Sequence, residues 1–156
     1  MNGHALRLLG LPAALLLLAV GCNPKQARAE KAVTTYRILL EEVIKFDEAF
    51  KGRPEVVEMP GFVNVLNQNI AQIKSEQGAV DQFVKNLKED QLFQKVSTQA
   101  FNMRELPTYL RYANGVNGIP TTRYSKGEKL VILWTDEMGA VVQPRVNEIN
   151  KFASTN

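Results

Sequence analysis

Four carboxylates crowd one short stretch of this chain: Glu41, Glu42, Asp47 and Glu48. On a helix, Glu41 and Glu48 stand about one heptad apart on one face, and two carboxyl groups held about 5 to 9 Å apart in a cleft are what acid and base cleavage of a glycosidic bond requires. Lys45 and Lys51 are interleaved among them. That interleaving suits a solvated face laced with i,i+4 ion pairs better than a cleft, so a carboxylate-based hydrolase of cell-wall glycans stands as the alternative rather than the leading reading. Asp47 differs from the others. It interrupts an apolar stripe, and reads as a buried, hydrogen-bonded carboxylate.

A second group is basic and aromatic. Arg104, Tyr109, Arg111, Tyr112, Arg123, Tyr124, Lys126 and Lys129 follow one another closely, their five positive charges opposed only by Glu105 and Glu128. Arginine forks and tyrosine faces recognise anionic partners. The candidate partner surface is therefore Arg111, Tyr112, Arg123, Tyr124 and Lys126.

Missing residue types exclude more than the present ones suggest. His4 and Cys22 are the sole histidine and the sole cysteine. From Asn23 onward the chain has no thiol and no imidazole, so neither a Ser-His-Asp nor a Cys-His arrangement can be built. Zinc sites made of Cys and His, haem held by His and clusters held by Cys fall with them. The expectation is no catalytic residue, no metal site and no cofactor. With 19 basic against 16 acidic side chains in 156 residues, the charge excess is too small to argue for nucleic acid.

The elements that must position these residues are mostly helical. Asn23 suits a helix cap and Pro24 the first helical position. Val33, Tyr36, Leu40, Val43 and Phe50 then recur at spacings of three, four and seven, which predicts a helix ending at Gly52. A second helix is expected from Pro60 to Gln77, carrying Phe62, Leu66, Ile70 and Ile73 inward and stopped by Gly78. A third follows, with a break near Lys88 to Asp90 and Asp90 as its cap. Pro107 is expected to open a further short piece, ended by Asn114-Gly115.

Beyond Gly115 the punctuation thickens, with glycines at 115, 118, 127 and 139 and prolines at 120 and 144. Gly127 and Gly139 suit turns, so Thr121–Tyr124, Leu130–Trp134 and Ala140–Gln143 read as a β-meander, with Pro144 opening a last helix through Phe152. Against this, Ser125 to Glu128 has the form of a capping box, and Leu130, Trp134, Met138, Val141, Ile149 and Phe152 nearly keep helical phase. The expected fold class is α+β, a helix-rich single domain with a small C-terminal hairpin or meander and a final helix. The alternative is an all-α helical bundle.

The amino-terminal residues carry a distinct signal. Met1 to Arg7 is weakly basic, Leu8 to Val20 is almost wholly apolar with leucines at 15 to 18, and Leu18-Ala19-Val20-Gly21-Cys22 ends the run on the cysteine. The apolar run is shorter than the ~20 residues that a spanning helix needs, and is interrupted by Pro12. This stretch resembles the signal peptide and lipobox of bacterial lipoproteins. The resemblance implies cleavage before Cys22, acylation of its thiol and a membrane anchor, and several acyl chains hold far more firmly than one. It also implies residues 1–21 as signal peptide and 22–29 as a lipidated tether; the length that remains suits a single envelope domain over 30–156. Asn23, not Asp, follows the cysteine. That favours the outer membrane facing the periplasm, or the cell exterior where the source has one membrane. With Arg7 removed, 18 basic side chains face 16 acidic ones.

A further likeness lies at Gly118-Ile119-Pro120-Thr121-Thr122 followed by Gly127-Glu128, which resembles the C-terminal half of thioredoxin-fold proteins over residues 118–152. It implies an edge strand opened by a cis Pro120, a turn at Gly127-Glu128 and a closing helix bearing Val146, Ile149 and Phe152. Without a Cys-x-x-Cys pair the implied module is redox-inactive and binds rather than reacts. No residue pattern selects a family for the domain. The leading expectation is a non-enzymatic envelope lipoprotein that docks a protein partner or supports assembly of a membrane complex.

Overall fold

Asn23 opens the first helix, its side-chain oxygen accepting from the Lys25 N–H at 3.1 Å, with Pro24 in the first turn. The computed structural model describes residues 23–113 and 125–154, the segment 106–113 as backbone alone. In chain order the helices are α1 (Pro24–Lys51), α2 (Pro54–Val57), α3 (Pro60–Asn86), α4 (Glu89–Ala113) and α5 (Lys126–Ala153). Residues 24–29 are thus already helical, and Ala29 is buried.

The apolar stripe of α1 is broad because this helix is covered on several sides. α3, α4 and α5 all pack on it, α4 and α5 pack along each other, and α3 and α4 barely meet. Tyr36, Leu39, Leu40, Phe50 and Val56 are fully buried against this junction. Tilted and edge-on ring contacts run from Phe46 to Phe50, Phe62 and Trp134, linking α1, α3 and α5 with centroids 5.7, 6.1 and 6.3 Å apart. Such pairs add to the area they bury.

The expected β-meander is overturned. Leu130–Trp134 and Ala140–Gln143 lie within α5, Pro144 sits inside that helix rather than at the start of another, and no strand occurs among the described residues. The remaining expected strand, Thr121–Tyr124, lies outside them. An all-helical bundle is the architecture. Gly139 and Pro144 disfavour a helix by about 1 and 3 kcal/mol relative to alanine. Against that, Leu130, Trp134, Met138, Val142, Val146 and Ile149 all bury on one stripe. At roughly 1.5–3 kcal/mol for each large apolar side chain, this burial outweighs the penalty. The Ser125–Glu128 capping box forms as its spacing implies, so Gly127-Glu128 is a helical first turn and not the strand-to-strand turn of the thioredoxin likeness.

Three smaller expectations also change. Gly78 does not stop α3, which continues to Asn86 because Val80 adds a fully buried side chain to the stripe of Leu66, Ile70 and Ile73. Pro107 does not open a new piece, since the α4 backbone runs through it. The break expected near Lys88 is present, at Leu87 and Lys88, where the extended backbone of Leu87 (φ −110°, ψ 141°) ends α3, but Asp90 is not the cap. Asp90 lies inside the first turn of α4, where it pairs with Lys25 at 2.6 Å and Arg28 at 2.9 Å, fastening α4 to the start of α1.

Candidate functional site

The carboxylate cluster is divided by helix geometry into groups that do not act together. Asp47 turns into the core and is fully buried, whereas Glu41 and Glu48 are exposed. Trp134 Nε1–H of α5 donates to Asp47 Oδ1 at 2.8 Å, and the Asn69 side-chain N–H of α3 donates to Oδ2 at 2.5 Å. Burial raises the Asp47 carboxyl above its ordinary range; the two donors pull it partway back. Both oxygens are engaged and no solvent reaches them, so Asp47 faces no substrate in this conformation. Its role is to tie three helices together.

Two of the surface carboxylates, Glu42 and Glu48, are matched by cations. Arg145 of α5 forks onto Glu42 with contacts of 2.7 and 3.0 Å and also reaches Glu148 at 3.0 Å. That bidentate hydrogen bond holds the Glu42 carboxyl below the usual range. Glu48 pairs with Lys51 at 2.6 Å, three residues along the same face. These partly exposed pairs orient helices more than they stabilise them. No group of three or more acidic, histidine or cysteine side chains gathers into a metal-binding cluster among the described residues.

A different constellation appears where α3 and α4 splay apart. Their divergence leaves a cleft of about 320 Å³ floored by Tyr36 of α1, with Gln72, Ile73 and Glu76 on one wall and Gln99, Asn102 and Met103 on the other. Glu76 is central. It accepts from Gln99 Nε2 at 3.2 Å across the cleft and from Gln72 Nε2 at 3.4 Å within its own helix. Burial, and then the nearby Glu76 charge, push the Tyr36 hydroxyl well above its ordinary pKa, so it stays neutral. Sequence reading missed this group. Its only local signal is the i,i+4 spacing of Gln72 and Glu76 and a hydroxyl-bearing ring in an otherwise aliphatic stripe; Gln99 and Asn102 come from another helix.

Of the expected partner surface, Lys126 alone has a described side chain. It is exposed at the first position of α5 and pairs with Glu58 at 2.7 Å. The backbone of Arg111 and Tyr112 lies in the last turn of α4. Their side chains, and Arg123, Tyr124 and Cys22 entirely, lie outside the described residues, as does Gly118-Ile119-Pro120.

No family model, no curated protein and no solved structure matches this chain.

Its function rests on its own residues.

Proposed function

We propose that this chain is a lipid-anchored envelope protein whose helical bundle serves as a non-enzymatic docking or assembly module for a protein partner. The observation that carries this reading is the run Leu18-Ala19-Val20-Gly21-Cys22, an apolar leader closing on the sole cysteine. In support, helix α1 begins at Pro24 and has buried side chains from Ala29 onward, so an anchor at Cys22 would hold the bundle close to the bilayer. Among the described residues no helix is long and apolar enough to cross a membrane. The acyl chains would therefore supply the attachment, each buried methylene contributing about 0.8 kcal/mol. The leader would be residues 1–21, and Asn23 at the second mature position favours the outer membrane.

The docking part of the proposal uses Arg111, Tyr112, Arg123, Tyr124 and Lys126, a basic and aromatic set suited to an anionic segment of a partner. The anchor is tested by metabolic labelling with a fatty-acid analogue. Wild type should label, and Cys22→Ser should remain unlabelled, because no other thiol exists for acylation. Equal labelling of both would overturn the lipoprotein reading.

A further inference from the structure

The cleft between α3 and α4 has an unusual hydrogen-bonding balance. Gln72 and Gln99 both direct an amide N–H to Glu76. A side-chain amide has two donors on its nitrogen and two acceptor lone pairs on its oxygen, so each retains one N–H and a whole carbonyl oxygen, a surplus of acceptors. The Glu76 carboxylate has about four acceptor positions, of which these two contacts occupy one on each oxygen. Tyr36 at the floor, Asn102 on the α4 wall and the apolar Ile73 and Met103 complete the lining. No lysine or arginine among the described residues pairs with Glu76; their ion pairs go to Asp81, Asp90 and other glutamates. The cleft is thus negative, rich in acceptors and open enough to admit a small group.

That balance selects among ligand chemistries. An anion is opposed by the charge. A neutral sugar would leave the Glu76 charge uncompensated, and Tyr36, the aromatic residue of the lining, is fully buried and offers no open ring face to stack on. A divalent cation such as calcium takes six to eight oxygen ligands, and a single carboxylate already accepting two hydrogen bonds makes a poor centre for that shell. A primary ammonium has three donors and no acceptor, which matches the surplus. We propose that this cleft binds a primary alkylammonium group, with Glu76 as counter-ion, Gln72, Gln99 and Asn102 as its hydrogen-bonding collar and the buried Tyr36 as its floor. The group belongs either to a free aliphatic amine or to a lysine side chain of a bound protein. The inference is independent of the anchor at Cys22.

The test is titration of the full-length chain in detergent with three probes of similar length: n-butylamine, Nα-acetyl-lysine amide and n-butanol. The signals followed are the side-chain amide resonances of Gln72, Gln99 and Asn102. Saturable shifts with the two amines and none with the alcohol are expected. Tighter binding of the lysine amide than of butylamine assigns the site to a partner's lysine, and equal or weaker binding assigns it to a free amine. Glu76→Gln keeps the side-chain shape and should weaken binding about tenfold or more, as expected for a lost charge-assisted contact. Tyr36→Phe, which retains the ring, gives a second variant and should weaken it less. Binding of butanol as strong as that of butylamine, absence of saturation with either amine, or undiminished binding by a folded Glu76→Gln protein would overturn the proposal.

Discussion

The Trp134 indole N–H reaches the Asp47 carboxylate at 2.8 Å, joining α5 to α1 across 87 positions of sequence. Both side chains are buried, Asp47 fully. A charge in such a place is stable only when its oxygens are satisfied. Asn69 completes the arrangement from α3, and so one carboxylate sets the relative register of three helices.

Asp47 should leave a signature in pH-dependent stability. Its folded pKa is raised above the ordinary value of 3.8 by burial, so the native state holds this proton more tightly than the unfolded chain does. The stabilising contribution is fully present below the unfolded value and is lost as pH rises through the folded one. Asp47→Asn removes that dependence while keeping an oxygen for Trp134. Relative to Asp47→Asn, the wild type should gain stability as pH falls from neutrality toward 3.8. Thermal melts of both proteins across that range provide the check; parallel curves would show that Asp47 titrates as it does in the unfolded chain.

Trp134→Phe should be destabilising beyond its lost area. It keeps an aromatic filler but removes the donor to Asp47 Oδ1, and a buried acceptor left unmet costs about 1–3 kcal/mol, more when charged. In denaturant unfolding followed by circular dichroism, the loss should be smaller when Trp134→Phe is made on the Asp47→Asn background. Equal losses on the two backgrounds would mean that the hydrogen bond carries no coupling.

Gly139→Ala distinguishes a helix from a hairpin at this position. A Cβ placed there meets nothing within 4 Å and the residue lies inside α5. Alanine should therefore stabilise the protein, by up to about 1 kcal/mol on helix propensity. Gly78→Ala in α3 is expected to behave likewise, because its surroundings are equally open. A glycine serving a turn with positive φ would respond with destabilisation instead.

Reversing Arg123 and Lys126 to glutamate tests the proposed partner surface. Lys126 and Glu58 form an exposed pair, and exposed charge changes usually move stability by less than about 0.5 kcal/mol. Cross-linked capture of the partner in intact cells should fall for the double variant while its melting temperature stays close to that of wild type. Capture of the wild type should also weaken with salt, since exposed charges are screened over about 10 Å at 0.1 M ionic strength. Unchanged capture by the folded double variant would remove this surface from consideration.

Local signals in the chain were enough for the helix starts at Pro24 and Pro60, the capping box at Ser125 and the break near Lys88, because caps and proline positions act within one turn of backbone. They also marked Asp47 as a buried carboxylate, since a lone acidic residue on an apolar stripe has few other places to go. The state of residues 126–153 was decided elsewhere. Gly139 and Pro144 favour a break locally, and only the burial of Trp134, Met138, Val142 and Val146 against α1 and α4 makes one continuous helix the lower-energy choice. The same holds for the polar groups. Nothing near Asp47 in sequence names Trp134 or Asn69 as its donors, and nothing near Glu76 names Gln99, because hydrogen bonds between helices depend on which faces the packing brings together.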